Sequence, residues 1–149
     1  MSRRDEVRRT REILQVRRLK RGVAEQQVQR EVARCADLDQ AREASLACLM
    51  DLHDNWSASL AEPVFNLAMA GAWATAMSRE ADSLVSLESD LFEARDDQQA
   101  AAAAWRGALA LEEVAEILSR DTARRARRHR EEAVLNEIAD RTAQQSAPR

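Results

Sequence analysis

The sequence predicts an all-α fold in which two long helices form an antiparallel coiled-coil hairpin. Three observations carry that expectation. With three glycines and two prolines in 149 residues, the chain lacks the turn punctuation of a sheet or a many-element fold. Apolar residues make up 45%, but 29 of them are alanine, and charged residues reach 33%, a composition typical of long helices and coiled coils. Apolar side chains also recur at steps of three and four, the coiled-coil period.

Helix one is expected from about residue 5 to 57, a stretch without proline and with one glycine, Gly22. Its early stripe is Glu12, Val16, Leu19 and Val23. After a phase shift near Gln26–Gln27, a second ladder runs Val28, Val32, Cys35, Asp39, Arg42, Leu46, Leu49, His53, Trp56 and Leu60. Such a shift resembles a stutter, which locally unwinds a supercoil. Asp39 and Arg42 in that ladder read as register devices.

The turn is expected at about 58–71, where Ser59, Pro63 and Gly71 gather just after Asn55 and Ser57. Pro63 is either a breaker or the first residue of the next helix. Helix two is expected at about 72–142, on the ladder Trp73, Met77, Glu80, Leu84, Leu87, Leu91, Ala94, Gln98, Ala101, Trp105, Ala108, continuing through Leu111, Val114 and Leu118. It is the longer helix and should overhang the first or break. The polar tail, 143–149, is expected to fray. Helices of this length are unstable alone in water, and one bend lets them zip together. A parallel dimer kinked at Pro63 is the alternative architecture.

The two cysteines, Cys35 and Cys48, lie on one predicted helix and cannot pair within it. The arginine-rich start has no signal peptide's apolar segment, and no run approaches a membrane span. A cytoplasmic, reduced protein is expected. Catalysis, cofactors and metals are not. The glycines stand alone at 22, 71 and 107, and His53 and His129 are far apart in sequence. The adjacent acids Asp96–Asp97 and Glu112–Glu113 do not share a helix face.

Charge is the positive signal. Residues 1–30 carry ten Lys/Arg against four acids, residues 31–119 carry five against seventeen, and residues 120–141 carry seven against five. A hairpin would therefore bring two basic ends together, opposite an acidic middle. The clusters comprise Arg3, Arg4, Arg8, Arg9, Arg11, Arg17, Arg18, Lys20 and Arg21 at one end, and Arg124, Arg125, Arg127, Arg128 and Arg130 at the other. Cations at a helix N-terminus oppose its dipole, so the first cluster points to a partner, either nucleic acid or an acidic protein. Near the turn, Val64, Phe65, Leu67, Met69, Trp73 and Met77 form a small apolar set that fits a docking patch.

Three stretches resemble the FliJ/YscO family, the central stalk proteins of type III secretion ATPases. They are Ile13–Arg21 followed by Ala24–Glu25, the segment Pro63–Leu84 with Trp73 in a sparse stripe, and the closing Arg130–Arg141. The resemblance implies a non-enzymatic stalk, monomeric in isolation, whose paired termini enter the ATPase hexamer as the gamma subunit enters the ring of the rotary ATP synthase. Its ATPase-binding residues would be Arg17, Arg18, Lys20, Arg21, Arg124, Arg125, Arg127 and Arg128. The tip would meet the export gate protein through Phe65, Met69, Trp73 and Met77. It also implies residence at the cytoplasmic face of the inner membrane and contact with secretion chaperones, in an injectisome or a flagellar system. A basic coiled-coil nucleic-acid binder and a scaffold or chaperone adaptor are the competing functions, although the acidic middle would repel a phosphate backbone.

Overall fold

A computed structural model describes residues 3–64 and 66–146. They form two helices, α1 (Arg3–Ala61) and α2 (Leu67–Ser146), packed against each other as an antiparallel hairpin. Asp5 and Glu6 stand in the first turn of α1, where carboxylates favour the helix dipole and offset the arginines around them. Pairs four residues apart brace both helices, among them Gln27–Glu31 at 2.6 Å, Arg120–Glu116 at 2.6 Å and Arg127–Glu131 at 2.8 Å.

The reversal is much shorter than the expected 58–71, because helix persists through the residues taken as breakers. Asn55 donates to the Asp51 carbonyl at 2.8 Å, and the Ser59 hydroxyl donates to that of Trp56 at 2.7 Å. These bonds satisfy the polar groups inside the helix instead of ending it. Pro63 lies in the reversal, and the new helix is started by Asn66, whose Oδ1 accepts from the Met69 N–H at 3.1 Å. That is an N-cap bond. Gly71 falls within α2, and a Cβ there would meet nothing within 4 Å. At the far end α2 runs to Ser146, beyond the expected 142, and residues 147–149 lie outside the described ones.

The chain divides into two compact units. One is Gln26–Ala103. Its seam on α1 is Val28, Glu31, Cys35, Leu38, Arg42, Ser45, Leu49, Leu52, Trp56 and Ser59, all buried or half-buried. On α2 the expected ladder holds from Trp73 to Ala101, preceded by Ala70. Arg34 donates to Asp97 at 3.0 Å, Arg95 to Asp39 at 3.4 Å, and Arg42 lies 3.7 Å from Glu88. These pairs bring Cys35 level with the Leu91–Gln98 stretch; Cys35, Leu91 and Ala94 are all buried. The Asp97 hydrogen bond, with Glu31 nearby, raises the Arg34 pKa further. Ser45 donates to Glu80 across the seam.

The other unit joins Met1–Glu25 to Ala104–Arg149. Its seam is Val7, Thr10, Leu14, Arg17, Arg21 and Ala24 against Trp105, Ala108, Glu112, Ala115, Ser119, Thr122 and Ala126. The buried Thr10 and Thr122 hydroxyls meet at 3.0 Å, each also bonded to its own helix backbone. This corrects the predicted stripes. Val16, Leu19 and Val23 are 50%, 71% and 68% exposed, and Leu111, Val114 and Leu118 point away from the seam as well. On α1 the inward residues keep steps of three and four from Val7 to Ser59, so there is no stutter at Gln26–Gln27.

Candidate partner-binding surfaces

In the Met1–Glu25/Ala104–Arg149 unit, the Thr10–Thr122 contact fixes which arginines meet. It sets the start of α1 beside the Ala126 region of α2. One cleft is lined by Arg3 and Glu6 with Arg125, Arg128, His129 and Glu132. A second, on the other side of the seam, is lined by Arg4, Val7, Arg8 and Arg11 with Ala126, His129 and Arg130. Arginines from both helices therefore share these walls, tempered by Glu6, Glu132 and the Arg8–Glu12 pair at 3.5 Å. The unit carries eighteen Lys/Arg against twelve Asp/Glu, and the Gln26–Ala103 unit five against fourteen.

The register separates the two halves of the expected ATPase-binding set. Arg124, Arg125, Arg127 and Arg128 are all exposed, and Arg125 and Arg128 stand beside the first turn of α1. Of Arg17, Arg18, Lys20 and Arg21, none lines those clefts, and Arg18 and Arg21 instead meet Glu112. Arg21 Nε is 2.8 Å from Glu112 Oε2 and Arg18 Nε 3.6 Å from Oε1, while the Glu112 side chain is 14% exposed. Arg17 is half-buried in the seam, and Lys20 is exposed. Arg3, which shares the first cleft with Arg125 and Arg128, and Arg4, Arg8 and Arg11, which share the second with Arg130, belong to the basic clusters read from the sequence but not to the expected ATPase-binding set. Continuing the α2 ladder in strict heptads past Ala108, to Glu112, Ala115, Ser119 and Thr122, would have found them.

Of the residues expected at the export gate, Met69 is 47% exposed, and Trp73 and Met77 are half-buried in the seam. Phe65 lies outside the described residues. Met77 also lines an apolar groove with Leu49, Met50, Trp56, Ala74 and Ala81, where the His53 and Trp56 rings are 6.3 Å apart. Trp73 is not part of that groove.

Among the described residues no group of His, Cys, Asp and Glu is placed to hold a metal ion, and no helix is long and apolar enough to cross a membrane. No protein family, curated protein or solved structure matches the chain.

Proposed function

We propose that the protein is a non-enzymatic stalk of a type III secretion ATPase, inserting its basic paired termini into the ATPase hexamer and linking it to the export gate at the cytoplasmic face of the inner membrane. The observation that supports this is the convergence of Arg3, Arg4, Arg8 and Arg11 with Arg125, Arg128 and Arg130 along shared clefts. A dense guanidinium surface spread over two helices suits carboxylates on an acidic protein, both for steering and for bidentate pairing. The fourteen acids of the Gln26–Ala103 unit count against duplex nucleic acid, which that part of the chain would repel.

The test is stimulation of a cognate hexameric ATPase by the purified protein. Replacing Arg8, Arg11 and Arg128 together by Glu should abolish stimulation and leave helicity by circular dichroism intact. Unchanged stimulation would remove the basic end from the mechanism. Tight, salt-sensitive binding to duplex DNA would favour the nucleic-acid function instead. Reversing Arg17, Arg18 and Lys20 is the less clean experiment, because it also strips Glu112 of the Arg18 contact.

A further inference from the structure

We propose that one flank of the Met1–Glu25/Ala104–Arg149 unit is a docking groove for an acidic amphipathic helix of a partner protein. The argument starts from the apolar side chains that the seam leaves out. Among them are Ile13, Val16 and Val23 on α1, exposed by 46%, 50% and 68%, and Leu111, Val114 and Leu118 on α2, at 47%, 62% and 48%.

Their heptad positions place both stripes on one side. Ile13, Leu111 and Leu118 each come one residue before a seam position, Leu14, Glu112 and Ser119. Val16, Val23 and Val114 each come two residues after one. In an antiparallel pair, residues that precede a seam position face each other across the same flank. The other unit shows this directly in Arg34 and Asp97, which precede Cys35 and Gln98 and meet at 3.0 Å. In this unit Glu6 and Arg125, which precede Val7 and Ala126, line one cleft. Ile13 and Leu118 therefore stand on that side together, followed by Lys20 and Leu111.

The result is an apolar strip with a helix for each wall and side chains at steps of three, four and seven. That spacing accepts the knobs of a third helix. The charge at its edge sets the sign of the occupant. Arg9, Arg17 and Lys20 line the recess around Ile13 and Val16 together with Glu12, which lies 3.5 Å from Arg8, and Asp121 follows Val114 by one heptad on the α2 wall. The unit's excess of six positive charges disfavours a second copy docking through the same flank. The strip contains no tryptophan or phenylalanine, residues that anchor helices in a lipid interface. The inference does not rest on the secretion reading, since any acidic helical partner satisfies it.

The test uses the full-length protein and a labelled three-heptad peptide with Ile and Leu at its core positions and Glu elsewhere, followed by fluorescence anisotropy at physiological salt. Binding is expected in the micromolar range, and a peptide with Lys in place of Glu should bind at least tenfold more weakly. The double variant Val16→Ser, Val114→Ser conserves charge and should lose at least tenfold in affinity. Val134→Ser, exposed but off this flank, should bind as the parent does. Equal binding by the Val16/Val114 variant, or none up to about 1 mM, would overturn the proposal. So would a concentration-dependent dimer mass, or adsorption to anionic vesicles, that this variant alone abolishes.

Discussion

Glu112 occupies a seam position that leucine would fill in a simple coiled coil, and two guanidinium groups surround its carboxylate. With Arg21 at 2.8 Å and Arg18 at 3.6 Å, it neutralises a local run of cations that would otherwise repel one another. The Glu112 side chain is 14% exposed, but those of Arg21 and Arg18 are 39% and 54% exposed, so solvent weakens both pairs. Glu112→Gln should therefore lower the unfolding free energy in urea by about 0.5–1 kcal/mol at neutral pH. Replacing Glu112 and Arg21 together by Leu should recover that loss, because an apolar layer of similar volume carries no desolvation cost. A double variant as unstable as the single one would show that the carboxylate packs rather than pairs. None of this is visible in the sequence, where Glu112 and Glu113 read as a solvated acidic pair.

At the scale of the helix, α2 was legible from Trp73 to Ala108 because its seam is mostly apolar there. The α1 seam was legible only in part: Val28, Cys35, Arg42, Leu49 and Trp56 lie in it as expected, whereas Val32, His53 and Leu60 face out. Thr10, Arg17, Arg21, Glu31, Arg42, Ser45 and Ser59 hold inward positions, while Val16, Leu19 and Val23 form a cleaner apolar pattern that faces out. Periodicity alone follows the most apolar stripe, and here that stripe is surface. A paired substitution separates the two patterns. Leu38→Ala, on the half-buried seam, should cost about 2 kcal/mol, whereas Leu19→Ala, 71% exposed, should stay within about 0.5 kcal/mol in the same urea titration. Comparable losses at both positions would restore the stripe first read from the sequence. The turn was misjudged for a different reason: Asn, Ser and Gly disfavour helix on average, yet each can be accommodated when its side chain bonds to a nearby carbonyl or its Cα faces open space.

For the molecule as a whole, the hairpin was legible from one proline-marked break and two long periodic segments, but the residues that meet across it were not. Register depends on contacts such as Thr10–Thr122 and Arg34–Asp97, between residues that no local pattern links. The basic surface was foreseen as a cluster, but which α1 arginines meet the α2 arginines was not, for that reason. The hairpin itself can be separated from a kinked parallel dimer by a cross-link. In a background with Cys35→Ala and Cys48→Ser, Arg34→Cys with Asp97→Cys should oxidise to an intrachain species of 16.8 kDa by light scattering. A covalent dimer as the main product would place the two helices in different chains.

The distances along the chain between contacting residues differ widely. Ser45 and Glu80 are 35 positions apart, whereas Thr10 and Thr122 are separated by 112. Closing the longer loop from an open chain costs about 1 kcal/mol more in entropy. Pairing is therefore cheapest when it starts at the reversal and zips outward, each closed layer shortening the loop left for the next. Helix pairing around Thr10 and Thr122 is the last to form and, by the same logic, the first to part. The arginine-lined clefts belong to the stretch of the hairpin that a binding partner can pry open at the lowest cost.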